Sequence, residues 1–191
     1  MRFTHFASAG FILGAALAAA QPRVAVTLYE NAGLQPAALL AMKAETSRIL
    51  LAAGVELEWV DCEIGGQPAG GPECARPSGP DRFMLQIVPG LNKQNPRTSG
   101  MAILQNGAGV FACLYPERVK ALARDANWDF ADLLGHAAAH ELGHLLLRSS
   151  AHTPAGIMRA RWETEDLRRV THANLVFLPG QLSPVLVAEA R

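Results

Sequence analysis

Apolar and polar residues alternate along RVAVTLYE (Arg23 to Glu30), the period-two pattern of a strand with one buried face. The period then lengthens. Across PAALLAMKAETSRILLAA (Pro36 to Ala53) apolar residues recur at helical spacing at Leu39, Leu40, Ile49 and Leu50, with Pro in the first turn and Gly54 just past the end. This predicts a helix. Strand patterns return in VELEWV (Val55 to Val60), RFMLQIV (Arg82 to Val88), MAILQ (Met101 to Gln105) and VFACLY (Val110 to Tyr115). The last two are separated by NGAG, a hairpin signal that makes them antiparallel neighbours. After Tyr115 the pattern is helical again: a short helix from Pro116 to about Arg124, then a longer one from about Asn127 or Asp129. The longer helix runs into HELGHLLLRSSAHTPAGIM, His140 to Met158, and ETEDLRRV and LSPVLVAEAR read as short helical pieces near the end. The order predicts an α+β (α/β mixed) domain, one sheet backed by two main helices.

The first 20 residues have a different character. Arg2, an apolar run from about Phe6 to Leu17 and small residues ending at Ala18-Ala19-Ala20 follow the order of parts in a secretory signal peptide, with cleavage after Ala20. The run is shorter than the roughly 20 residues that span a bilayer, so no membrane association is expected after cleavage. The expected location is secreted or periplasmic. Residues 21–191 show no repeat, low-complexity tract or long linker and are expected to form a single domain. Half the residues are hydrophobic, enough for one sizeable core, and 17 basic residues balance 17 acidic ones. That balance gives no electrostatic reason to expect nucleic acid or an anionic surface as partner, and a monomer acting on a locally recognised ligand is expected.

Export changes how the three cysteines read. Cys62 and Cys74 bracket a Gly/Pro-rich stretch that is not expected to form regular structure, and a disulfide between them closes a loop of the length for which chain entropy gives about 3 kcal/mol. Cys113, in an apolar strand, is expected to be an inert buried thiol.

His140 and His144 stand four residues apart, on one face of a helix, where both rings can reach one ion. Glu141 lies about 100° around the helix, placed to take a proton from a water on that ion without ligating it. Small residues in GHAAAHELGH leave room for a backbone to approach, and the Asn/Asp-rich segment before the helix suits capping. Catalytic zinc takes three protein ligands and keeps one position open. The candidates for the third are His152, beyond a point where Pro154 and Gly156 forbid continued helix, and the acids Glu163 and Glu165. His136, one turn before His140, reads as a partly exposed helix histidine.

HELGHLLLRSSAHTPAGIM resembles the metzincin metalloproteases, whose HExxHxxGxxH motif is followed by a tight turn containing a methionine under the zinc. The resemblance implies that His140, His144 and His152 are zinc ligands, Glu141 the general base and Met158 the turn methionine. It also implies a five-stranded mixed sheet with a backing helix and an active-site helix from about Arg23 to Met158, and an edge strand, GMAILQ, that pairs with an extended peptide or protein substrate. Two departures stand out: His152 comes two residues later than in the family, and Leu147 replaces the glycine that ends the helix. One of Arg148, Ser149 and Ser150 has to end it instead. Two other arrangements compete. In one, resembling the thermolysin-like group, Glu163 or Glu165 is the third ligand. In the other, the chain is a non-catalytic zinc-binding module with His136 or His172 closing the site.

Overall fold

The computed structural model describes residues 22–91, 93–170 and 174–183. The expected signal peptide, His172 and most of LSPVLVAEAR lie outside the described residues. Among the described residues no helix is long and apolar enough to cross a membrane.

Strand β1 (Arg23–Glu30) leads through helix α1 (Pro36–Ala52) to β2 (Glu56–Ile64), β3 (Gln67–Pro68), β4 (Arg82–Ile87), β5 (Gly100–Gln105) and β6 (Ala108–Leu114). Helices α2 (Pro116–Ala126), α3 (Phe130–Leu147) and α4 (Thr164–Arg169) follow. The strands form one six-stranded mixed sheet in the order β3-β2-β1-β4-β6-β5. β1 runs parallel to β2 and β4, and β4 parallel to β6. The two edge strands, β3 and β5, are antiparallel to their neighbours. The mixed α/β class expected from the pattern is the one observed.

The core follows from the same periodicities. Val24, Val26 and Leu28 on β1 and Phe83, Leu85 and Ile87 on β4 are buried together with Leu39, Met42, Ile49 and Leu50 of α1. Helix α1 packs on α3 at close range: a Cβ on Gly135 would lie 2.8 Å from Cβ of Glu45. There the Thr46 hydroxyl lies 3.1 Å from the Gly135 carbonyl and 2.8 Å from that of Met42, so its polar atom is satisfied inside the contact. Helix α3, clamped between α1 and strands β5 and β6, is buried continuously from Leu133 to Leu146. The β5–β6 hairpin turns through Asn106 and Gly107, both left-handed at φ 52° and 73°, as a two-residue turn between right-twisted strands requires.

Two expectations are corrected here. The sheet has a sixth strand, because Gly65 and Gly66, at φ 60° and 75°, reverse the chain and let Gln67–Pro68 pair back onto the end of β2. The Gly/Pro-rich stretch is also more ordered than its composition suggests: β2 extends to Ile64, and Pro72–Ala75 form a 3₁₀ turn. Cys62 and Cys74 are joined by a disulfide that ties this turn to β2.

Candidate active site

The site is built on α3. Asp129 caps the helix, its carboxylate accepting from the Ala131 and Asp132 N–H groups at 2.8 and 3.0 Å. Three turns later His140 and His144 project from one side, with their Nε2 atoms 3.1 Å apart. Each ring is fixed from behind: His140 Nδ1 lies 2.7 Å from the Ile157 carbonyl and His144 Nδ1 2.7 Å from the Ser149 carbonyl. A carbonyl only accepts, so each Nδ1 carries the ring proton and each Nε2 presents a lone pair. Two lone pairs facing each other at this distance repel unless a cation lies between them. Two nitrogens of a tetrahedral zinc site stand roughly 3.3 Å apart, so the pair fits a zinc ion as it is. Burial disfavours the alternative of protonating the rings, holding His140 down at about 4 and lowering His144 as well.

The chain reversal after α3 supplies the third ring. Arg148 takes the left-handed conformation, φ 51°, and Ser149 N–H donates to the His144 carbonyl at 3.2 Å, closing the helix as glycine does elsewhere. The same turn aims the Ser149 carbonyl at His144 Nδ1. Ala151 N–H donates to the Ser149 hydroxyl at 3.1 Å, and the chain then carries His152 back to the pair, its ring centre 5.5 Å from that of His140 and 4.8 Å from that of His144. One nitrogen from each of the three lies within 4.8 Å of the others. His140 and His144 are buried and His152 is exposed, which leaves the outer side of the cluster open.

Met158 sits beneath. It is fully buried under α3, and a Cβ on Gly143 would lie 2.7 Å from its sulfur, so the glycine is what lets the turn approach. The turn is pinned by Thr153 N–H to the Met158 carbonyl and Ile157 N–H to that of Val176, both 2.8 Å. Trp162 Nε1 donates to the Ile157 carbonyl at 3.2 Å and its ring meets His140 edge-on at 5.6 Å, so one carbonyl orients both groups. Trp162 carried no signal in the sequence, since RWETEDLRR reads as a solvated charged segment.

Glu141, next to His140 on α3, packs against β5. Its side chain is buried, and burial pushes its carboxyl up to about 8. A cation held by the histidines opposes that rise. A Cβ on Gly100 would lie 2.6 Å from Cγ and Oε1 of Glu141, so the edge strand touches the carboxylate through a residue with no side chain. A cleft of about 590 Å³ opens in front, lined by His140, Glu141, His144 and His152 and along one wall by Gly100 to Ala102 of β5.

The other candidates are placed elsewhere. Glu165 pairs with Arg169 at 3.0 Å, and Glu163, though it lines the cleft, accepts from the Asp166 backbone N–H as the cap of α4. Neither joins the histidine cluster. His136 is fully buried, not partly exposed: Nδ1 lies 2.9 Å from the Asp132 carbonyl, Nε2 3.5 Å from a Glu45 oxygen, and the ring meets Trp128 edge-on. It faces α1, away from the cluster. Cys113 is a free, buried thiol, its pKa raised by burial and by Glu141.

No family model matches the chain, and no curated protein matches it in sequence. Its fold does have solved counterparts. One is archaemetzincin from Methanopyrus kandleri, at TM-score 0.53 and 13% identity over 92% of this chain and 100% of that one. Another is metalloproteinase-II from Bacteroides fragilis, at TM-score 0.56 and 12% identity over 90% of this chain; here the match spans 55% of the other protein's length. What is shared at such identity is the fold, a mixed α/β domain of the kind these metallopeptidases have.

Proposed function

We propose that the chain is an exported zinc metallopeptidase of metzincin-like organisation, in which His140, His144 and His152 hold the metal, Glu141 is the general base and Met158 floors the site. The observation that carries this reading is the pair of lone pairs facing each other on His140 and His144, 3.1 Å apart, with a third imidazole in the same cluster and the buried Glu141 carboxylate lining the same cleft. A zinc ion bound there supplies the Lewis acidity that polarises a carbonyl and makes water nucleophilic near neutral pH. The chain's own residues do the rest. Glu141 takes the proton of the attacking water on a carboxylate oxygen and returns it to the leaving nitrogen as the C–N bond breaks. The edge strand β5 offers unpaired backbone groups along the cleft, where an extended peptide adds as a further strand. The bare backbone of Gly100 lets that peptide and the carboxylate come close together.

The Cys62–Cys74 disulfide, formed only where thiols are oxidised, supports export, with residues 1–20 as the cleaved leader. The deciding experiment compares wild type with Glu141→Gln on a quenched peptide pool while metal content is measured in both. Bound zinc in both proteins with turnover lowered by roughly 10²- to 10⁴-fold in the variant supports the peptidase. Equal zinc and no cleavage by either protein instead supports a zinc-binding module without turnover.

A further inference from the structure

The cleft is more basic than the chain around it. The protein as a whole carries 17 basic and 17 acidic residues, yet four arginines line this one cavity, Arg97, Arg118, Arg159 and Arg161, against the two acids Glu141 and Glu163. Among the described residues, three of the four arginines are held in no ion pair. Arg159 is committed to Asp166 at 3.1 Å. Glu163 is engaged in capping α4, and Glu141 is buried against Gly100. Arg97, Arg118 and Arg161 form no ion pair with any acid among the described residues.

Their origins matter as much as their number. Arg97 comes from the loop that enters β5, Arg118 from the first turn of α2, and Arg161 from the segment between Met158 and α4. Arg118 Nε donates to the Arg97 carbonyl at 3.2 Å, which places the two residues side by side at the Gly100 end of the edge strand. Isolated surface arginines are ordinarily solvated and mean little. Three from separate elements, converging on one concave site without an ion pair to an acid, raise the local potential for anions. A guanidinium is charged at all working pH values, and its planar fork matches a carboxylate in bidentate fashion.

We infer that this cleft selects peptides bearing carboxylates, with Arg97 and Arg118 as a joint receptor at one end and Arg161 as a second contact. The peptide nature of the ligand rests on the metallopeptidase reading above. The charge preference rests on the arginines alone. The carboxylate can come from an Asp or Glu side chain near the scissile bond or from a free C-terminus.

The test uses zinc-loaded protein carrying Glu141→Gln, so that nothing is cut, and fluorescence anisotropy with three labelled octapeptides of identical apolar core. One carries two internal glutamates and an amidated C-terminus, one has glutamines in their place with a free C-terminus, and one has glutamines and an amidated end. Tighter binding of the glutamate peptide than of the neutral one, by about tenfold, supports the side-chain source, and an advantage confined to the free C-terminus supports the terminal one. In either case Arg97→Gln/Arg118→Gln removes most of the advantage, the exposed Arg161→Gln removes part of it, and the advantage shrinks as sodium chloride is raised from roughly 50 to 500 mM. Equal affinity for all three peptides, or an advantage that survives in both variants, overturns the inference. Absence of cleavage by wild type in a separate assay would count against the peptidase reading, and the binding result would still decide this one.

Discussion

His140 and His144 face each other through their Nε2 atoms at 3.1 Å, each held from behind by a backbone carbonyl that fixes its proton on Nδ1. A pair oriented in this way is built for a cation, and stability should report it. Adding zinc to chelator-treated protein should raise the unfolding free energy by about 4 kcal/mol at a free concentration of roughly a thousand times Kd. His140→Ala and His144→Ala should each weaken zinc binding by more than roughly 100-fold, beyond what losing an outer hydrogen-bond partner costs. His152→Ala tests the third position by competition titration. If it leaves affinity intact while Glu163→Ala lowers it, the ligand set proposed here is wrong.

Gly100 and Glu141 give a prediction about turnover at unchanged zinc content. A methyl group at Gly100 would lie 2.6 Å from both Cγ and Oε1 of Glu141. Both residues are buried and the clash reaches Cγ, so Gly100→Ala fits only by pushing the carboxylate aside, and this overpacking should lower the unfolding free energy by about 1–3 kcal/mol. The displaced base is a different matter: misplacing a reacting group by about 1 Å costs on the order of 100-fold in rate. Turnover should therefore fall by about that factor with zinc content unchanged. A fully active variant would show that Glu141 does not need its present position.

What was legible beforehand was local. The α1 helix between Pro36 and Gly54, the Asn106–Gly107 hairpin and the four-residue histidine spacing each depend on a few neighbouring residues, and each appears where its pattern placed it. Short-range chemistry of another kind was missed where Gly65 and Gly66 mark a reversal that adds strand β3, while the helix end narrowed to three residues falls to Arg148, left-handed at φ 51°. The burial of His136, the support of the Ile157 carbonyl by Trp162 and the gathering of arginines in the cleft all depend on which elements end up side by side. No sequence period encodes those meetings.

Of the three shifted groups on α3, His140 and Glu141 give the metal-free protein opposing pH dependences, with His144 shifted in the same direction as His140. His140 titrates at about 4 in the fold against 6.5 ordinarily, so its contribution is present above 6.5 and is lost as pH falls towards 4. Glu141 titrates at about 8 against 4.5, so its contribution is present below 4.5 and is lost as pH rises to about 8. Glu141→Gln removes the second dependence alone. Under chelation, urea unfolding at about pH 5, 6.5 and 8 should show the variant gaining steadily on wild type as pH rises. A constant difference across the range would mean that the carboxyl is not held in a desolvated site.

Arg148 carries the strain that a glycine would relieve. Its backbone is left-handed at φ 51°, the side chain is exposed, and the turn it makes aims the Ser149 carbonyl at His144 Nδ1. A non-glycine residue in that conformation costs roughly 1–2 kcal/mol, and glycine gives back part of the gain through the greater entropy of its unfolded chain. Arg148→Gly should therefore stabilise the protein by about 0.5–1 kcal/mol and leave zinc affinity unaltered. Arg148→Val should do the reverse on both counts, because a β-branched residue resists positive φ and relaxes by moving the Ser149 carbonyl off the histidine. Thermal unfolding and zinc titration of the two variants separate the outcomes. Loss of stability in the glycine variant would mean that the arginine side chain, not the backbone turn, secures the end of α3.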